Sequence, residues 1–156
     1  IALVNDTDVT IFDTSSGKQL LNIKYNYCAV RLCNTSLATY NAEQQLIEIW
    51  DTTSAKRSKA LISQHSGGIS SIVKLSDSRM VTAGGSTVNI WDIVEGTCLR
   101  TFHYSGSLIR LSKQAIASVK YYNHSLTVTV WDIESGSCLH NIHESDYDYN
   151  CEILSL

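Results

Sequence analysis

Six residues near the end of the sequence carry side chains that could hold a metal ion: Cys138, His140, His143, Asp146, Asp148 and Cys151. Thiolates, imidazoles and carboxylates are the usual ligands of zinc and its neighbours, and structural sites carry them at regular short spacings. Here the spacing is irregular and no CxxC pair accompanies it. A solvated acidic loop asks less of these residues than a metal site does. Bond-making chemistry has no other foothold, because GxSxG, the P-loop, HExxH and GxGxxG are all missing. The chain is read as no enzyme, and no catalytic residue, metal or cofactor is assigned.

Charge could serve recognition instead. Arg31, Lys74 and Arg110 recur within AVRL at 29–32, IVKL at 72–75 and LIRL at 108–111, while Ser155 takes that place in ILSL at 153–156. A cation among apolar neighbours is costly to bury, so each pairs locally, reaches water or meets an anion. Lys56, Arg57 and Lys59 are read as plain solvated charge.

These recurrences belong to a repeat that covers the chain. VTIFD at 9–13, IEIWD at 47–51, VNIWD at 88–92 and VTVWD at 128–132 match, with Phe12, Trp50, Trp91 and Trp131 spaced 38, 41 and 40 residues apart. Each aromatic is followed by an acid (Asp13, Asp51, Asp92, Asp132), a short turn and another apolar run. The continuations FDTSSGKQLLNI, WDIVEGTCLRTF and WDIESGSCLHNI align without gaps, and WDTTSAKRSKALI reads as one or two residues longer. Alternation in each segment has the period of two expected of a strand. Gly17, Gly96 and Gly136 fall where the turn needs positive φ. Each copy resolves into strands a, b, c and d. The blades assigned are 28–62, 69–102 and 107–142, with a first blade whose strands b to d lie in 1–23 and whose strand a is supplied by 151–156. The fold class is all-β, four blades' worth of four-stranded antiparallel sheet that must stack to share a core.

Composition narrows the partners. The 156 residues are 44% hydrophobic with a net charge of −3, so there is no basic footprint for nucleic acid. No apolar run approaches the ~18–20 residues that span a bilayer, and no membrane partner is expected. Five cysteines, an odd number, fit free thiols in the cytoplasm, or in the nucleus, better than a disulfide framework. Ile1 at the start, with Met80 the only methionine, is expected of an excerpt from a longer chain.

In the pairs Trp50–Asp51, Trp91–Asp92 and Trp131–Asp132, with the degenerate Phe12–Asp13, the chain resembles the WD40 family of β-propellers over essentially its whole length. WDIESGSCLHNI and WDIVEGTCLRTF are most similar to repeats of F-box-associated propellers. The family's Gly-His before strand a survives as Gln64–His65, with His103 as a second remnant. Its acidic b–c residue survives only as Asp6, and the third copy shortens that turn to Gly84–Gly85–Ser86. The resemblance therefore implies an incomplete His–Ser/Thr–Asp–Trp network and a propeller less cross-linked than usual.

The resemblance also implies where binding would occur. Loops d–a and b–c share the top face, and all eight tyrosines fall in them or beside them. Tyr25, Tyr27, Tyr104, Tyr147 and Tyr149 lie in d–a loops, and Tyr40, Tyr121 and Tyr122 flank b–c loops. Tyrosine brings stiff contact area with a polar tip; strand-end tyrosines that cover blade edges would give the same pattern. Strand a lies nearest the axis, so Arg31, Lys74 and Arg110 would converge on a channel suited to an acidic or phosphorylated peptide, unless each pairs locally. The resulting expectation is a non-catalytic scaffold that offers Tyr25, Tyr27, Tyr104, Tyr122, Tyr147, Tyr149 and the three cations to a protein or peptide. Substrate recognition for a ubiquitin ligase is the narrower alternative, and a metal-binding or enzymatic domain the remote one. Closure as a segment of a longer propeller ranks first, ahead of a homodimeric ring or a small ring of one chain.

Overall fold

Period-two alternation becomes fifteen strands and, among the described residues, no helix. The structure is a computed structural model that describes residues 2–5, 8–24, 28–104 and 106–145. Blade 1 is a three-stranded sheet of β1 (Ala2–Val4), β2 (Asp8–Phe12) and β3 (Gln19–Lys24). Blade 2 holds β4 (Ala29–Cys33), β5 (Ser36–Asn41), β6 (Leu46–Asp51) and β7 (Lys56–Ile62). Blade 3 holds β8 (Ile69–Lys74), β9 (Arg79–Gly84), β10 (Thr87–Asp92) and β11 (Thr97–His103). Blade 4 holds β12 (Ser107–Arg110), β13 (Ala115–Tyr122), β14 (Ser125–Asp132) and β15 (Cys138–Glu144). Every pairing is antiparallel between neighbours in sequence, as short turns require. The segment 151–156, expected to complete blade 1, lies outside the described residues.

Faces alternate as the pleat dictates. In blade 3, Val88 and Ile90 join Val81 and Ala83 against Ile116, Trp131 and Ile133 of blade 4. The opposite face sends Met80, Trp91 and Ile93 against Ala38, Tyr40, Ile47, Ile49 and Leu61 of blade 2. Blade 1 meets blade 2 through Val9, Ile11 and Ile23 against Leu37 and Trp50. The core is thus three layers between four blades, and the b and c strands of blades 2 and 3 are buried on both faces. Strands β4, β8 and β12 lie side by side along the inner edge, while every residue of β15 is exposed.

Each c–d pairing shifts register immediately before the aromatic, at Ile11/Phe12, Ile49/Trp50, Ile90/Trp91 and Val130/Trp131. One bulge per blade adds local twist at the same place. The second copy is no longer than the others: Lys56 pairs with Asp51 as Thr97 pairs with Asp92. Ala55 simply occupies the glycine position, with φ 53° where Gly17, Gly96 and Gly136 have 69°, 76° and 71°.

Candidate functional site

Each tryptophan indole reaches back to the neighbouring b strand. Trp91 Nε1 donates to Thr82 Oγ1 at 2.8 Å, Trp50 Nε1 to Thr39 Oγ1 at 3.1 Å, and Trp131 Nε1 to Ser118 Oγ at 3.1 Å. Register makes this possible, because each hydroxyl residue stands opposite the residue two before its tryptophan: Thr82 opposite Asn89, Thr39 opposite Glu48, Ser118 opposite Thr129. Blade 3 extends the chain of bonds. His65 Nε2 meets Thr82 Oγ1 at 2.8 Å, and its Nδ1 meets Thr87 Oγ1 at 2.7 Å. Burial disfavours the imidazolium and holds the His65 pKa below its ordinary value. Thr87, whose hydroxyl also donates to the Gly84 carbonyl at 3.2 Å, takes the place of the acidic b–c residue. His103 is exposed at the end of β11 and has no share in this network. Blade 1 departs at two positions together: Phe12 has no N–H to donate, and Leu3, opposite Thr10, replaces the hydroxyl.

The acid after each aromatic caps the c–d turn. Oδ1 of Asp13 accepts the amides of Ser15 and Ser16 at 2.9 and 2.8 Å, and that of Asp92 accepts Val94 and Glu95, both at 2.8 Å. Asp51 and Asp132 cap Thr53 and Ser135, each at 2.7 Å. The Ser15 hydroxyl, with the amides and Ser16, pulls the Asp13 carboxyl down to about 2. The acids shape the c–d turns, and the tryptophans tie strand c to strand b within each blade.

Each of the three recurrent cations is held at its own a–b turn. Arg31 folds onto its own a–b turn, with Nε donating to the Cys33 carbonyl at 3.1 Å and a terminal nitrogen to Asn34 Oδ1 at 2.8 Å. Lys74 pairs with Asp77 at 2.7 Å, and Arg110 Nε donates to the Ser112 carbonyl at 3.3 Å. A donor at the end of a strand is drawn to the carbonyls or acid exposed in the turn beside it, which costs less than holding like charges together. The charges read as plain solvated ones also differ: Arg57 pairs at 2.5 Å with Glu48, a carboxylate only 4% exposed, and Lys59 reaches the next blade.

Of the candidate metal ligands, Asp146, Asp148 and Cys151 lie outside the described residues. His140 and His143 share β15 three residues apart, hence on opposite faces, and His143 Nδ1 is 3.2 Å from Thr127 Oγ1. A cavity of about 350 Å³ opens between β1 and β4, lined by Ala2, Val4, Arg31 and Cys33, where a fourth strand of blade 1 would pair. At its edge the Ser36 hydroxyl, 3.0 Å away, draws the Cys33 thiol down to about 7.

The tyrosines separate into covered and presented. Tyr25, Tyr27, Tyr147 and Tyr149 lie outside the described residues. Tyr104 is not a rim contact: it is 9% exposed within the core between blades 3 and 4, its amide bonded to the Ser86 carbonyl at 3.0 Å. Docking of the d–a loop onto the b–c turn of its own blade turns that ring inward. Tyr40 is likewise buried, with its hydroxyl donating to Gln45 at 3.2 Å. Tyr121 and Tyr122 are the presented pair, 44% and 66% exposed. They sit on β13, which with β14 runs on to the pair Tyr122 opposite Ser125, whereas β9 and β10 end at Gly84 opposite Thr87. Counted from the hydroxyl of each blade, the fourth hairpin projects two residues further, or ~7 Å. Asn123 and His124 close it with φ 46° and 58°, the two left-handed residues of a tight hairpin turn, and Lys120 lies 5.9 Å from the Tyr122 ring.

Comparison with known proteins places this geometry. No family model matches the chain. A stretch of 81 residues, 51% of the chain, is 30% identical to a WD repeat-containing protein on the Y chromosome of Drosophila grimshawi and 28% identical to that of Drosophila virilis. The match spans 7% of the length of each relative. Among solved structures, the WD40 propeller domain of Doa1 superposes with a TM-score of 0.64 at 18% identity, covering 90% of this chain and 52% of that one. The Neurospora crassa Pan2 WD40 domain gives 0.63 at 17%, covering 90% and 48%. Hydrazine synthase of Kuenenia stuttgartiensis gives 0.68 at 15%, covering 89% and 44%, a likeness of fold alone.

The fold is that of WD40 propeller domains, and half of the chain is similar in sequence to WD repeat-containing proteins. In WD40 terms, the chain keeps the tryptophan–hydroxyl bond in three blades and the histidine link in one. The sequence reading passes over Lys120, Asn123 and His124, although an Asn-His pair between two alternating runs is itself a hairpin signal. It also passes over Thr87, because a threonine at a strand start carries no mark of its role.

Proposed function

We propose that this chain is a non-catalytic interaction scaffold, with the β13–β14 tip leading the contact with a protein or peptide. The observation that carries the reading is the projection of Tyr121 and Tyr122, exposed beside Lys120, on a b–c hairpin that extends two residues beyond those of blades 2 and 3. Stiff aromatics with polar tips anchor protein interfaces at low entropic cost. WD40 propellers at large serve as protein-interaction platforms, which supports the class of function without naming the partner. The phosphopeptide reading of a ubiquitin-ligase propeller keeps its support in the WDIESGSCLHNI likeness, while Arg31, Lys74 and Arg110 are each engaged by their own turns. A metal or enzymatic role gains nothing from His140 and His143 on opposite faces. A reducing compartment, the cytoplasm or nucleus, remains the location we propose, on the odd cysteine count.

Site-specific photo-crosslinking tests the reading. A benzophenone side chain at position 122 should capture a discrete protein set that the same group at Val94, 62% exposed on the opposite turns, does not. Tyr121→Ser/Tyr122→Ser should then abolish capture from neighbouring position 124. Equal capture from 94 and 122 would remove the hairpin from the site.

A further inference from the structure

The eight glycines divide between the two ends of the blades. Gly17, Gly96 and Gly136 close c–d turns, and two of those turns accept bonds from the preceding blade. Lys59 donates to the Ile93 carbonyl at 3.2 Å, and Arg100 to the Ser135 carbonyl at 3.1 Å. The other five, Gly67, Gly68, Gly84, Gly85 and Gly106, gather at the opposite end, over blade 3 and its seam with blade 4. Three of these are forced by their surroundings. A Cβ at Gly84 would stand 2.3 Å from the Gly68 carbonyl oxygen, and one at Gly106 2.0 Å from that of Val119. Gly85 has φ 58°, and its Cβ would stand 2.9 Å from Ser66 Oγ. Gly67 and Gly68 are not forced. Neither has a left-handed φ, and a Cβ there would meet nothing nearer than 3.8 Å and 3.9 Å, at Gly85 and the Tyr40 ring. Alanine fits both places and costs less chain entropy, so the bare backbone there serves close approach by another chain.

This glycine floor is sunk between taller neighbours. Blade 3 turns through Gly85 and Ser86 alone, blade 2 turns through the four residues 42–45, and blade 4 runs its strands two residues further. The pleat decides which face of the blade 4 hairpin overlooks the floor. Ile116 packs in one layer with Val81 and Ala83 of blade 3, and Ser118 holds Trp131, whose ring centroid lies 5.1 Å from that of Phe102. Lys120 and Tyr122 continue that alternation, so both project on the blade 3 side. Charge on this side has one sign. Segments 63–70, 84–88, 103–108 and 119–127 contain no acid, although the chain has 15 acids against 12 lysines and arginines. Among the described residues no carboxylate pairs with Lys120. Glu43, in the blade 2 turn, is the acid of the opposite wall.

We propose that the saddle over blade 3 holds an extended, acidic segment of the protein partner, its backbone laid across Gly67 and Gly68 and an Asp or Glu carboxylate on Lys120. The proposal rests on the scaffold reading above and names the partner chemistry that reading leaves open. Backbone against bare backbone admits many sequences, so charge supplies the choice. A carboxylate meets Lys120 unopposed, and an apolar neighbour in the segment gains the face of Tyr122. A basic segment meets Lys120 with no acid on the floor to offset the repulsion.

The test is selection of phage-displayed random peptides of about twelve residues, long enough to cross a blade as a strand, on the 156-residue chain. Enriched sequences should carry Asp or Glu, and their synthetic copies should bind in fluorescence anisotropy. Lys120→Glu should weaken them about tenfold and turn the selection toward Lys and Arg. Gly67→Val, where the fold leaves room for a side chain, should weaken them as much with circular dichroism unchanged. Lys56→Glu, exposed at the c–d end of blade 2, should leave their affinity as it is. No enrichment, enrichment without acids, or an affinity indifferent to either Lys120→Glu or Gly67→Val would overturn the proposal. Capture from position 122 that persists beside such a result keeps the hairpin as the contact and removes only the saddle, whereas equal capture from 94 and 122 removes the hairpin by itself.

Discussion

Blades 3 and 1 descend from the same repeat pattern and meet opposite conditions. Blade 3 is packed on both faces, and its polar groups are answered in series from Trp91 through Thr82 and His65 to Thr87. Blade 1 is packed on one face only, and it has given up the indole and the hydroxyl together, as Phe12 and Leu3. The paired loss has a physical reason. In a packed blade a buried indole N–H needs its acceptor and a buried hydroxyl its donor, whereas on the open face of blade 1, where Leu3 is 58% exposed, neither is required. The difference teaches that the tryptophan and the hydroxyl two strand positions away are one unit, and that the acid after the tryptophan, kept in all four blades, is a separate device for the turn.

The sharpest way to break this comparison is to write the blade 1 pair into blade 3. Thr82→Leu alone should cost about 2–3 kcal/mol, since Trp91 Nε1 and His65 Nε2 both lose a buried partner. Trp91→Phe alone should cost about 2 kcal/mol through lost volume and the stranded hydroxyl. The double substitution should cost at least ~1 kcal/mol less than the sum, a coupling read from urea unfolding. Strict additivity would dissolve the unit.

The turns offer a second, smaller contrast. Gly96 lies under Leu61 and Lys59, whereas among the described residues nothing comes within 4 Å of a Cβ at Gly17. Alanine at either position bears left-handed strain of ~1 kcal/mol. Only Gly96→Ala should add a crowding cost of about 0.5–1 kcal/mol, read from urea unfolding. Equal costs would mean that the stems give way freely.

The mildest effect is one of pH. Because burial lowers the His65 pKa below its ordinary 6.5, the unfolded chain binds the proton more readily than the folded one. The stability that neutral His65 contributes is therefore full above pH 6.5 and is lost as pH falls below it. Thermal unfolding between pH 7 and 5 should show a decline that is shallower in His65→Asn. An identical slope in both would place the pH dependence elsewhere, and blade 1, with no counterpart of His65 in its network, supplies none of it.

Much of the architecture was legible before any coordinate. The spacing of Phe12, Trp50, Trp91 and Trp131 sets the repeat, period-two alternation sets the strands, and the glycines after three of the four acids set the turns. Such features depend on residues a few positions apart, so local sterics and the pleat suffice to read them. The candidate site was legible only in outline. Tyrosines cluster near loop ends in sequence, yet Tyr104 and Tyr40 are turned inward while Tyr121 and Tyr122 stand out. Arg31, Lys74 and Arg110 recur in register, yet each is taken by its own turn.

By itself, then, the order of residues determined the all-β class, the four-fold repeat and the Trp–Asp frame, because those rest on contacts within one blade. Tertiary structure alone decided which tyrosines are presented, that Thr87 answers His65, and that Lys59 and Arg100 cover the turns of the following blade. Those outcomes depend on groups brought together from different strands and blades. The packing of one sheet on the next, rather than the pattern along any one strand, chooses where each side chain ends.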